Sequence, residues 1–379
     1  MKNLKLYIAL IAGTVLSLSS CKNDLDVLAP GEESISVYGI LNPNEPVQNI
    51  RINKVYITDG DALTAGQDPN QINYGAGELK VTLQRFMSGS TTPTLTTIGN
   101  SSKTEIVLTE TVITTASGIF SNQQRIWQTT DRLFKSGEYK LKVTNLLTAK
   151  EYTAQTLSID SVKPAGLQQP MPFLYNPTFF PMHGGYPSQP TTLDYPKYVD
   201  YKTLTTTYKI KFRSVANAKL YNVTLRFHYI DSLIGGTSFA NYVDITYPTL
   251  KSPDLAGGVE MEISFKGSDF FSSLGQLMSE KPSIPSLKNR RAYYLEYIID
   301  AGSDDLYNFL QVNAPSNSIA QDKPYFTNVK GAVGIFACKS KSFVTKDMWS
   351  EFIDKIACHP NTNPYFFCNS SGVTSGVCP

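Results

Sequence analysis

Tyr221, Val223, Leu225, Phe227 and Tyr229 are large and apolar at every second position, while Asn222, Thr224, Arg226 and His228 between them are polar. A period of two places the first set on one face of an extended strand and the second on the other. No helix sorts these residues so cleanly, because its period of about 3.6 residues would spread them around the axis. The pattern recurs. In Gly137–Val143 the side chains of Tyr139, Leu141 and Val143 alternate with Glu138, Lys140 and Lys142, and Glu151 to Ile159 supplies a returning strand. Ile35–Gly39, Ile50–Ile52, Leu79–Leu83, Ile106–Leu108, Tyr208–Phe212, Tyr242–Tyr247, Val259–Phe265 and Ala292–Ile299 carry the same signal. With 22 Tyr and 19 Phe, the composition favours strands as well. The expectation is a mainly β protein.

Short strands at such intervals predict an immunoglobulin-like β-sandwich over residues 34–160, with Tyr139 at the tyrosine corner of that fold. Residues 201–379 predict a second β-rich (α+β) domain with two short helices. One spans 268–280, capped by Ser268 or Asp269 and burying Phe270, Leu274, Leu277 and Met278. The other spans 347–357, capped by Thr345, with Met348, Phe352 and Ile356 stacked at intervals of four. Asn308 to Val312 reads as strand. Asp304 suits the cap of a short helix or a turn. Between the two domains, residues 161–200 hold prolines at 164, 170, 172, 177, 181, 187, 190 and 196, which exclude a regular helix. This connector also carries Phe173, Tyr175, Phe179, Phe180 and Tyr186, too many aromatics for a solvated linker. They are the candidate ligand or partner contacts, with plugging of an interface between domains as the plainer role.

The first twenty residues predict a signal peptide. Lys2 and Lys5 precede an uncharged run from Leu6 to Leu18, too short to cross a bilayer. Leu18-Ser19-Ser20-Cys21 is the pattern cut by a lipoprotein signal peptidase, so Cys21 is expected to carry the acyl chains that hold the mature protein to the outer membrane. Residues 21–33 then form a polar tether containing Asp24, Asp26 and Pro30-Gly31.

The other four cysteines, Cys338, Cys358, Cys368 and Cys378, fall near the C-terminus without a Cys-x-x-Cys pair, which favours two disulfides over zinc. Pairing neighbours, Cys338 with Cys358 and Cys368 with Cys378, would staple the tail, although spacing leaves the connectivity open. With 34 basic against 32 acidic residues the chain has no basic stripe for nucleic acid. His183, His228 and His359 lack metal-pair spacing and accompany no nucleophile elbow, so no catalytic residue, metal or cofactor is assigned. Asp59-Gly60-Asp61 with Asp68, and Asp300 with Asp304 and Asp305, fit turns better than calcium loops.

Several strand and turn motifs resemble a known family. They are Val37–Pro43 with Val47–Tyr56, Lys219–Tyr229, Leu306–Val312, Pro315–Ile319 and Tyr325–Phe336. In these the chain resembles the Bacteroidota lipoprotein family known as domain of unknown function 4249. That resemblance implies an outer-membrane lipoprotein encoded beside TonB-dependent receptors, without an established reaction. The acidic residues after Cys21 resemble the export signals of such lipoproteins displayed on the cell surface, which favours surface exposure over the periplasmic face. The expected function is a non-enzymatic accessory or ligand-binding subunit of a TonB-dependent nutrient-uptake system, taking a glycan or peptide. The alternatives are a carbohydrate-active hydrolase using dispersed carboxylates and a structural or adhesion protein of the envelope.

Overall fold

The alternating segments become strands in the computed structural model, which describes residues 34–55, 66–98, 103–114, 122–160, 198–199, 201–314 and 326–374. The first part holds β1 (Ser34–Leu41), β2 (Gln48–Val55), α1 (Pro69–Ile72), β3 (Leu79–Phe86), β4 (Glu105–Val107), β5 (Thr109–Thr114), β6 (Gln123–Thr129), β7 (Glu138–Asn145) and β8 (Glu151–Leu157). They pair in the orders β1-β2-β6-β5 and β8-β7-β3-β4. Val37, Ile50, Ile52 and Trp127 from the first sheet share one core cluster with Val81, Leu83, Leu141 and Val143 from the second. This is a β-sandwich. Tyr139 is fully buried and its hydroxyl donates to the Phe134 carbonyl at 2.8 Å, the bond that defines a tyrosine corner.

The later part comprises β9 (Tyr198–Val199), β10 (Thr207–Arg213), β11 (Ala218–Leu233), β12 (Ser238–Thr246), β13 (Leu250–Lys251), β14 (Glu260–Lys266), α2 (Gly267–Ser279), β15 (Leu287–Ser303), α3 (Asp304–Asn313), β16 (Val329–Lys330), β17 (Val333–Met348) and α4 (Ser350–Cys358). It does not stand apart from the sandwich as a second domain. β17 pairs in parallel with β1, from Ser36↔Val333 to Leu41↔Cys338, and β16 adds to β8. The long sheet therefore runs β12-β11-β15-β17-β1-β2-β6-β5. Buried residues from Ile35 to Phe367 form one continuous cluster, so the boundary drawn between 160 and 201 separates segments of sequence and not cores. Gly334 makes the junction possible: its φ is +118°, and a Cβ there would lie 2.9 Å from the Val37 carbonyl carbon and overlap its oxygen.

One face of β11 and β15, carrying Leu225, Phe227, Leu295 and Tyr297, packs with Ile210 and Phe212 of β10, Ile263 and Phe265 of β14, and Phe270, Phe271 and Leu274 of α2. Tyr201 sits at the centre, its ring 4.8 Å from Tyr208, 5.0 Å from Phe265 and 5.6 Å from both Phe270 and Phe352. Its hydroxyl bonds that of Tyr297. Removal from water pushes both phenols far above their ordinary value, because the charged form has nothing to solvate it.

Several local expectations change. Residues 308–312, read as strand, belong to helix α3. Ser303 rather than Asp304 caps it, accepting from the Leu306 amide at 3.3 Å, and Asp304 and Asp305 occupy the first turn. Leu306, Tyr307 and Phe309 then cover Leu220, Ile335 and Ala337 on the far face of the sheet. Helix α2 begins at Gly267, ahead of both expected caps, with Lys266 at the cap position; Asp269 accepts from the Lys266 amide at 2.9 Å. Helix α4 starts later than expected because β17 continues to Met348, with Thr345 paired to Glu296 in the ladder.

The tail also differs. Cys338 and Cys368 are buried free thiols, while Cys358 is disulfide-bonded to a partner outside the described residues. The expected pairs Cys338–Cys358 and Cys368–Cys378 are therefore corrected. The strand from Cys338 to Met348 covers ten residue steps, roughly 33 Å. The nine residues of α4 recover at most about 14 Å. Cys358 cannot close to the roughly 7 Å Cα separation that a disulfide permits. A buried ion pair anchors the tail instead. Arg290 Nε donates to Asp231 Oδ1 at 2.7 Å and its Nη1 to the Tyr365 carbonyl at 3.0 Å. The backbone of Arg290 bonds Phe366 and Cys368, each at 2.8 Å. Phe367 inserts beside Phe227 and Tyr229 at ring distances of 5.7 and 6.0 Å.

Candidate functional site on the polar face of the long sheet

The alternation that buries Leu225, Phe227 and Tyr229 turns Arg226 and His228 to the opposite face of β11. Register then decides their neighbours. Arg226 lies between Asp244 of β12 and Glu296 of β15; His228 lies between Tyr242 of β12 and Tyr294 of β15. Two adjacent rows result, one ionic and one aromatic.

In the ionic row Arg226 grips Asp244 with both ends of its fork, Nε to Oδ1 at 2.7 Å and Nη2 to Oδ2 at 2.9 Å. Its remaining nitrogen is 3.9 Å from Glu296 Oε2. The hydrogen bond to Asp244 holds the guanidinium above its ordinary value, against a smaller opposing effect of burial. Such a planar pair fixes orientation as well as charge. In the aromatic row the His228 ring stacks on Tyr294 at 4.1 Å and lies 5.8 Å from Tyr242. His228 Nε2 is 3.0 Å from the Glu296 carboxylate, and the Arg226 guanidinium sits 4.0 Å over the Tyr242 ring. The rows therefore lock each other.

A β-bulge adds one more ring. His228 pairs with Tyr294 but Tyr229 pairs with Ala292, which leaves Tyr293 as the extra residue of β15. Its ring is 4.9 Å from Tyr294, so Tyr242, His228, Tyr294 and Tyr293 form a continuous line across three strands. The two ends of the line are accessible, with Tyr242 47% and Tyr293 54% exposed. Chemically, the array offers aromatic faces beside donors and acceptors whose directions are already set. No serine, threonine or cysteine is among the partners of His228, and the described residues contain no group of three or more His, Cys, Asp or Glu able to hold a metal.

Of the residues singled out from sequence, Cys21, Phe173, Tyr175, Phe179, Phe180, Tyr186 and Cys378 lie outside the described residues, as do Asp59 and Asp61. Asp68 caps α1, accepting from the Asn70 amide at 2.9 Å. His359 stacks on Phe271 at 4.3 Å and accepts from the Asn361 amide through Nδ1, and burial followed by Lys355 holds it below its ordinary value. It serves the core. A solvent-open hollow of about 470 Å³ lies at the turn between β11 and β12, beside Lys288, without converging ionisable groups.

His228 is the one residue weighed from sequence that enters the array. Arg226, Tyr242, Asp244, Tyr293, Tyr294 and Glu296 were missed, because only the register of three strands brings them together. The available signal was the identity of the polar positions in β11, where Arg226 and His228 alternate with large apolar residues. The chain matches no protein-family model and no curated protein.

Proposed function

We propose that the protein is a lipid-anchored outer-membrane protein that holds a ligand for a TonB-dependent uptake system and performs no reaction of its own. The observation that carries the ligand-holding role is the locked row of rings and ion pairs on the polar face of β12, β11 and β15. Exposed rings at both ends of a rigid polar array lose little freedom when something lies across them. The anchor rests on Leu18-Ser19-Ser20-Cys21, and the uptake partner on the resemblance to domain of unknown function 4249. Residues 22–33 between Cys21 and β1 would reach at most about 40 Å when extended.

The hydrolase reading calls for two carboxylates facing each other across a cleft, about 5 to 10 Å apart. In the candidate site Asp244 and Glu296 flank a single guanidinium on one sheet face, which supports the binding reading of that site. Fractionation and co-purification test the proposal. The native protein is expected in outer-membrane fractions together with a receptor, and Cys21→Ser is expected in the soluble fraction with its fold intact. A Cys21→Ser protein that still sediments after a salt wash overturns the anchor; a native protein that brings down no receptor overturns the uptake role.

A further inference from the structure

We infer that the line Tyr242–His228–Tyr294–Tyr293 is a binding platform for a neutral glycan chain, whose sugars stack on Tyr242 and Tyr293 while their hydroxyls bond to Asp244 and Glu296. The inference rests on the ligand-holding role above and gives it a chemical class. Charge decides the class. Arg226 already carries two carboxylates, Asp244 at 2.7 Å and Glu296 at 3.9 Å, and His228 holds Glu296 at 3.0 Å. An acidic ligand therefore finds its cation occupied. A neutral polyhydroxylated chain displaces nothing. It uses the spare lone pairs of carboxylates already fixed in direction, the arrangement in which a hydrogen bond costs least ordering.

Spacing points the same way. Tyr242 and Tyr294 stand on strands two steps apart, about 10 Å, which suits two sugar units laid across the sheet. Among the described residues β12 is the last strand of the sheet. A longer glycan can continue past Tyr242 on that side. The bulge at Tyr293 extends the ring line beyond Tyr294 at the other end. An ordinary solvent-facing ion-pair ladder accounts for Arg226, Asp244 and Glu296 alone; it gives no reason for four rings in line with both ends exposed.

Native gels cast with starch, laminarin, xylan, mannan or a soluble cellulose derivative, and one with polygalacturonate, test the platform on the soluble Cys21→Ser chain. At least one neutral polymer is expected to slow the protein, equally in low salt and in about 0.5 M salt, where exposed charges are screened. Tyr242→Ala and Tyr293→Ala are each expected to weaken retardation about tenfold, which corresponds to about 1.4 kcal/mol. Tyr242→Phe should keep it, and unchanged circular dichroism shows that the variants fold. No retardation by any neutral polymer, retardation by polygalacturonate alone, or full retardation of the Tyr242→Ala/Tyr293→Ala double variant overturns the platform. Receptor co-purification with the native lipoprotein separates the two ideas: a receptor without glycan binding defeats the ligand class only, and glycan binding without a receptor defeats the uptake role only.

Discussion

Replacing Gly334 by alanine should destabilise the protein well beyond the same change at Gly331. Gly334 has φ +118° and is in register with Val37 across the parallel β1–β17 pair. An added Cβ would stand 2.9 Å from the Val37 carbonyl carbon and 3.0 Å from its nitrogen, and would overlap its oxygen. Backbone strain at such a φ is worth about 1 to 3 kcal/mol for a residue with a side chain. Moving β1 away to relieve the overlap weakens two or so ladder hydrogen bonds, at about 0.5 to 1.5 kcal/mol each. The sum, about 2 to 6 kcal/mol, is a large share of the 5 to 15 kcal/mol typical of a folded domain. Gly331→Ala is the control. Its φ is +78°, but its Cβ would meet only the Tyr152 ring at 3.5 Å, an ordinary contact. It should lose about 1 kcal/mol, from conformation alone. Urea unfolding of both variants in the Cys21→Ser background, followed by circular dichroism, reads the difference. If the two unfolding energies agree within about 0.5 kcal/mol, the scatter of neutral surface changes, the crowding argument fails.

Asp231→Ala should destabilise the protein by about 3 to 5 kcal/mol, because it strands the buried Arg290 guanidinium; limited proteolysis should then release the segment after Tyr365, and a tail as resistant as wild type would refute the anchor. Tyr139→Phe should cost about 1 kcal/mol by removing the hydroxyl that bonds Phe134, measured as a lower urea midpoint with the fold retained. Burial pushes the Cys338 thiol from 9.0 up to about 12, so it should resist iodoacetamide at mildly alkaline pH until the protein unfolds. Because the folded value is the higher one, the unfolded chain loses this proton first, and stability from this group falls between pH 9.0 and about 12. A Cys338→Ala variant that keeps the same alkaline decline would assign it to the buried tyrosines.

What sequence conveys here is local. Alternation in Tyr208–Phe212, Tyr221–Tyr229 and Gly137–Val143 marks strands because the signal lies within five to nine residues, and Tyr139 meets Phe134 only five positions away. Asn308 to Val312 reads as strand because Phe309, Leu310 and Val312 are bulky, and Ser303 with the apolar patch of Leu220, Ile335 and Ala337 overrides that preference. Cysteine spacing misled because neighbours in sequence were carried apart by an extended β17. The polar-face array was illegible for a related reason. His228, Tyr242 and Tyr294 become neighbours through the pairing of three strands, and the one-residue bulge at Tyr293 has no sequence mark of its own.

The parallel pairing of β1 with β17 also sets the order in which the molecule can be completed. β2, β6 and β5 can zip onto β1 by antiparallel contacts, but the other edge of β1 waits for residues 333–338, almost the whole chain later. Such a long loop closure is slow. Until it happens, the strand next to the tether exposes a row of unpaired amides and carbonyls, the kind of edge that recruits a strand from another molecule. Completion of nearly the entire chain before the sheet closes, and protection of that edge meanwhile, become requirements for making the protein at all. A chain cut short before Val333 would keep its sandwich strands and become prone to pairing with its own copies.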